Sequence, residues 1–279
     1  HTGIVFSITF SPDGQTLISW SRDGTIKFWR VADGALLRTY DEEIGPAVYD
    51  LAVSPDGRAF AYGRSDATVV VARMPALFMA AARLSSDGTP ATLADAVVSA
   101  VFDGHFYAQE ADRSSGIRVD HPAEGLIIGQ RIRVEGTMGT NANGERFIAV
   151  SSIAAAGAGE VRPLHVTGKA LGGGDFGQPP NGQQGIAGSM GLNNIGLLVT
   201  TSGRVSGPRV PSGWFYIDDG SGVSDGTGVP GIYVDAPGLV TPPPGSFATV
   251  TGISSCEWFE GRLVNVLRVR TQDDIRVHS

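Results

Sequence analysis

The sequence predicts an all-β fold, and three observations carry that prediction. Short runs of alternating apolar and polar residues recur along the chain, with almost no helical periodicity. Chain-bending residues are dense, with 39 Gly and 16 Pro among 279 residues, as short strands joined by tight turns require. The tetrapeptide Ser-Pro-Asp-Gly stands at residues 11–14 and again at 54–57, a period of about 43 residues that suits a unit of four short strands. A mean hydropathy of +0.04 and 42% hydrophobic residues allow packed cores rather than disorder.

The first copy of the repeat reads as four strands, at residues 4–10, 17–21, 25–31 and 36–40. Asp13-Gly14, Asp23-Gly24 and Asp33-Gly34 lie between them, and Asp-Gly supplies the positive φ of tight hairpins. The second copy, PAVYDLAVSPDG followed by RAFAYGRSDATVVVARM, gives three clear strands. The apolar stretch ALFMAAARL at 76–84 reads as a fourth strand or as a short helical connector, since Ala, Leu and Met favour helix.

These two copies closely resemble the WD-repeat family. The resemblance implies propeller blades and a structural hydrogen-bonded tetrad formed by His1, Ser19 (or Ser21), Asp23 and Trp29. It assigns these residues to fold stability, not to catalysis. The second copy departs from the pattern: Gly45-Pro46 replaces Gly-His and Val71 stands where Trp belongs, although Asp66 remains. A propeller ring usually needs four to eight blades. Two blades therefore make a partial propeller whose apolar faces, with Ile8, Phe10, Ile18, Phe28, Val53 and Val70, need a cover.

Residues 84–161 and 162–279 read as two further domains that follow one plan, after blades and a connector at 1–83. In the first, DAVVSAVFDG, HFYAQEADRS, SGIRVDH, QRIRVEGTMG and ERFIAVSSI form five strands. In the second, LLVTTSGRVSG, GWFYIDDGSG, GIYVDAP, SFATVTGISS and RLVNVLRVRTQDDIRV match them in order. Both resemble the OB-like five-stranded barrels of large secreted bacterial proteins. Trp214 and Phe106 are expected at related positions on the second strands. The insertion at 171–191, LGGGDFGQPPNGQQGIAGSMG, reads as a long flexible polar loop.

Composition and spacing exclude most chemistry. The net charge of −7 and a first barrel with five Arg against ten Asp/Glu repel nucleic acid. The single Cys256 excludes an intrachain disulfide framework and reads as a small buried group. His1, His105, His121, His165 and His278 show no metal-ligand spacing. The acidic loop with Asp218, Asp219 and Asp225 fits no EF-hand, so no metal and no cofactor are expected. No 18-residue apolar run exists to span a membrane as a helix, and no short catalytic signature is present.

The OB resemblance implies a ligand face on the second and third strands. In this chain that face carries Phe106, Tyr107, Arg113 and Arg118 in the first barrel, and Trp214, Phe215, Tyr216 and Tyr233 in the second. The functional expectation is a non-enzymatic extracellular or cell-surface structural subunit. It would form a homo-oligomer or polymer, as a filament or surface layer, through residues 1–80. The alternative is a binding module for a glycan, a peptide or, less readily, nucleic acid. The chain opens at His1 without an initiator Met, which fits a processed mature chain and equally a trimmed piece.

Overall fold

The computed structural model describes residues 1–11, 16–31, 34, 36–40, 47–54, 59–73, 79–111, 113–177, 181–206 and 213–278. The chain is all-β and divides into two compact units, 1–81 and 82–279. Most of both Ser-Pro-Asp-Gly turns, and Asp33, lie outside the described residues.

In the first unit, β1 (Val5–Phe10), β2 (Thr16–Ser21), β3 (Ile26–Arg30) and β4 (Leu36–Tyr40) form an antiparallel sheet in chain order. β5 (Val48–Val53), β6 (Ala59–Arg64) and β7 (Val69–Arg73) form a second antiparallel sheet. The two sheets share one core. Ile18, Trp20, Ile26 and Phe28 of the first meet Val48, Leu51, Phe60 and Tyr62 of the second. Phe28 meets Phe60 edge-on with ring centroids 6.0 Å apart, a favoured aromatic geometry. Met79–Leu84 form a helix, α1. Of the two readings of 76–84, the helical one describes this part, because the run has no alternation to place on two sheet faces.

In the second unit, β8 (Pro90–Phe102), β9 (His105–Gln109), β10 (Gly116–Asp120), β11 (Gln130–Thr140) and β12 (Arg146–Ala158) close into a barrel of ring order β8-β9-β10-β12-β11. All its pairings are antiparallel except β10 with β12. After a short β13 (Leu164–His165), the plan repeats in β14 (Leu198–Ser206), β15 (Trp214–Asp218), β16 (Ile232–Asp235), β17 (Phe247–Phe259) and β18 (Arg262–Arg268). Their order is β14-β15-β16-β18-β17, the pair β16–β18 is parallel, and β14–β17 closes the ring. β13 and β19 (Ile275–His278) extend this sheet at β14 and β17.

The rings correspond residue by residue, with one correction to expectation. Phe106 pairs with Val119, and Phe215 pairs with Val234. Phe106 therefore matches Phe215, and Trp214 matches His105. The reason is the strand period of two: Phe215 points into the second core with Ile217, Ile232 and Val234, so its neighbour Trp214 faces outward.

In its described residues, 171–177 and 181–191, the insertion is also not the loose loop its composition suggests. Phe176 and Gln183 bridge each other, and Gly174 N–H donates to Gly191 O. Gln183 is 1% exposed, accepts from Arg146 N at 2.8 Å and donates to Gly144 O at 2.9 Å. Leu171 is buried in the second ring's core and Ile186 packs with Cys256 and Leu263, while polar side chains supply partners that buried backbone groups demand.

Candidate functional site

In the first unit the structure brings the four tetrad residues together. Trp29 Nε1–H donates to Ser19 Oγ at 2.7 Å, and His1 Nε2 lies 2.7 Å from the same oxygen. His1 Nδ1 is 3.2 Å from Asp23 Oδ2. With the carboxylate facing Nδ1, that nitrogen carries the proton and Nε2 accepts from the Ser19 hydroxyl. The connectivity is that of a nucleophilic triad. Ser19 is nevertheless 4% exposed, and its oxygen accepts from Trp29. It serves as an anchored bridge. Partial burial pushes the Asp23 carboxyl up, but hydrogen bonds from Thr25, Thr2 and Gly3 outweigh it and hold the group well below the ordinary range.

The outer strand β1 of this unit is open. Ile4, Val5, Phe6, Ile8 and Phe10 are 41–62% exposed. On the other sheet Tyr49, Val69 and Val71 are 63–74% exposed. Fully burying one such side chain stabilises by about 1.5–3 kcal/mol.

In the second unit, the first barrel's candidate ligand face is closed. Phe106 and Tyr107 are each 0% exposed. Phe106 belongs to the interior. Tyr107 faces outward but packs with Ala100, Leu198 and Ile253, so the second barrel covers it. Gln109 Oε1 beside it accepts from Leu198 N at 3.1 Å. Gly116 meets Gly196 so closely that a Cβ on Gly116 would lie 2.2 Å from Gly196 O. No side chain fits there. Arg118 pairs with Asp120 at 2.6 Å, and exposed Arg113 reaches only Pro163 O at 3.4 Å.

A buried polar cluster lies between the rings. Tyr107 OH donates to Glu145 at 2.9 Å, and Ser255 Oγ donates to it at 3.2 Å. Ser255 in turn accepts from Arg268 Nε at 3.1 Å, while Arg268 pairs with Asp235 at 2.7 Å. Burial pushes the Glu145 carboxyl above the ordinary range, although Arg268 and the Tyr107 hydrogen bond pull it back. Burial and then Glu145 push the neighbouring Cys256 thiol up, so this buried cysteine is not a thiolate nucleophile. Glu145, Ser255 and Arg268 carried no sequence signal beyond interrupting an apolar alternation.

The second barrel keeps a partly open aromatic face. Trp214, Tyr216 and Tyr233 form a triangle with centroids 5.7–6.1 Å apart. Trp214 and Tyr233 are half-buried, whereas Tyr216 is 3% exposed and donates to Asp225. The acidic loop's Asp219 and Asp225 both accept hydrogen bonds. Asp219 accepts from Gly168 N at 2.6 Å and Ser221 N at 3.0 Å, and Asp225 also accepts from Thr227. Among the described residues no group of three or more His, Cys, Asp or Glu is placed to hold a metal, and no helix is long and apolar enough to cross a membrane.

Comparison with known proteins finds a family at the N-terminus. The family described as WD domain, G-beta repeat matches residues 1–30. An uncharacterised WD repeat-containing protein of Synechocystis sp. is 41% identical over 64 residues, which is 23% of this chain and 18% of that protein. The ribosome biogenesis protein bop1 of Danio rerio is 41% identical over 56 residues, 20% of this chain and 7% of that protein. The chain thus spans less than a fifth of the curated relatives it matches. The solved structure of Kluyveromyces lactis Hsv2 aligns over 55% of this chain and 48% of its own, at 14% identity and a TM-score of 0.24, too low to support a fold assignment. The N-terminal part of the chain carries a WD repeat.

Proposed function

We propose that this chain is a non-enzymatic structural subunit that assembles with further copies of itself through its WD-repeat blades. One observation carries the reading: β1 exposes Val5, Phe6, Ile8 and Phe10, so its face with Phe6, Ile8 and Phe10 is apolar and open. A strand with a free edge and an apolar face is a template for another chain. A contact of this kind that does not close on itself produces a filament. The two five-stranded rings read as OB-like barrels in this proposal, supported by their shared strand order and single parallel closure. Their role is to space and stiffen the subunit. The placement outside the cell or at its surface rests on the sequence resemblance to secreted modules.

Negative-stain electron microscopy and light scattering of the full chain across a concentration series test the reading. Regular fibres or sheets, or a defined oligomer, are expected, and Ile8→Asp with Phe10→Asp should return monomers with an unchanged β-sheet circular dichroism spectrum. A monomer at every concentration overturns it.

The second reading is a ligand-binding pair of barrels, favoured by the half-buried Trp214 and Tyr233 on the second ring. Only that ring retains the face, because the first uses its own to pack against the second.

A further inference from the structure

We infer that the second unit holds a binding pocket for a neutral saccharide, separate from the strand faces considered above and independent of assembly through the blades. The pocket is a cavity of about 240 Å³. Three segments build it: the β11–β12 turn with Asn141 and Gly144, the insertion with Asp175, Phe176 and Asn181, and Trp258 near the end of β17. This volume lies just under the roughly 300–1,000 Å³ of pockets for drug-sized ligands, which suits one or two sugar rings.

The lining has the chemistry of sugar recognition. Trp258 lines the cavity and is 46% exposed, so part of its indole remains available to a ligand. The negative face of an aromatic ring attracts polarised C–H groups such as those on one side of a pyranose. Around it stand amides and a carboxylate, which bind hydroxyls as donors and acceptors. Asn141 uses its carbonyl on the N–H groups of Asn143 and Glu145, at 2.9 and 3.0 Å, so its NH2 is the remaining donor. Asn181 accepts from Ser86 Oγ at 2.9 Å, and Asp175 accepts from Gly185 N at 2.8 Å. Among the described residues no Lys, Arg or His lines the cavity. A phosphate, sulfate or uronate would therefore meet no lining cation and would face Asp175, which favours an uncharged ligand.

The pocket is also braced. Gly144 has φ +77, and a Cβ there would lie 3.2 Å from Trp258 Nε1. Glycine lets the turn lie against the indole edge without displacing it. Gln183 pins the insertion to this turn through Gly144 O. Phe176 lies under the Arg83 guanidinium at 5.0 Å, which fixes the second aromatic. Preorganised polar and aromatic groups raise affinity because little entropy is lost on binding.

The test is saturation-transfer NMR of the full chain with maltose, cellobiose, lactose and N,N′-diacetylchitobiose, with a neutral hexapeptide as a competing class. At least one saccharide should bind with a Kd of about 1 mM or tighter, with transfer strongest from one face of a single ring. Trp258→Ala should weaken binding about tenfold or more, and Trp258→Phe should restore most of it, which separates loss of the platform from loss of fold. Absence of transfer to all four sugars overturns the inference. So does binding of the peptide alone, or saccharide binding indifferent to Trp258→Ala.

Discussion

The blades and the barrels solve the same problem in opposite ways. Each region packs two copies of a small β-unit. The two blade sheets share a single core around Ile18, Trp20, Phe28, Phe60 and Tyr62 and leave β1 open. The barrels close individually, each around its own interior, and then join through a small apolar patch and the buried Glu145 cluster. Sheets that stop short of closure keep edges for another chain. The rings pair their own strands all round, with β13 and β19 added at β14 and β17 of the second, and polar groups on their outer faces can be buried at the joint. Under the proposed function, the difference assigns assembly to the first unit and internal rigidity to the second.

The sharpest way to break this comparison is to empty a ring. Phe106→Ala should cost about 3–5 kcal/mol, read as a lowered denaturant midpoint for the 82–279 transition. The blade transition should not move, since the two units are separately compact. A single transition that shifts as a whole would mean that the regions fold as one.

Next in size is the joint between the rings. Glu145→Ala leaves Tyr107 OH and Ser255 without their buried acceptor and should cost about 2–3 kcal/mol. Its pH signature has a definite sign. The folded Glu145 carboxyl holds its proton more tightly than the unfolded chain does. Barrel stability therefore falls as pH rises from the ordinary 4.5 through the raised folded value. Glu145→Gln should flatten that slope, measured by chemical denaturation across pH.

Smallest is the tetrad. Trp29→Phe removes the donor to Ser19 and should cost the blades about 1 kcal/mol, read from the thermal midpoint of the first unit. Asp23 gives this unit the opposite pH trend. Its folded carboxyl is depressed, so its contribution is present above the ordinary 3.8 and is lost as pH falls below it. Acidification should therefore weaken the blades where it relieves the barrels.

Much of the fold was legible because strand alternation and turn chemistry are local. The strands expected at 17–21 and 36–40 appear as Thr16–Ser21 and Leu36–Tyr40. The strand-for-strand match between the two barrels reappears as one shared pairing order. The match of Trp214 to Phe106 failed by one residue, since two adjacent aromatics leave the register ambiguous and a one-residue slip exchanges the faces of a strand. The insertion was misread because Gly, Pro and Gln signal a loop whether or not its amides find partners.

The sequence by itself determined the all-β class and the two repeats, because both follow from spacing along the chain, while the tetrad came from the WD-repeat resemblance and the structure chose Ser19 over Ser21. Only the tertiary structure decided which faces stay open. Tyr107 and Trp214 sit on outward faces of matching strands, yet one is sealed by the neighbouring barrel and the other is half-buried. Glu145 and Ser255 meet across 110 positions of chain, and Asn141, Phe176 and Trp258 line one cavity from three separate segments. Such juxtapositions depend on how closed rings pack together, and no local pattern encodes that.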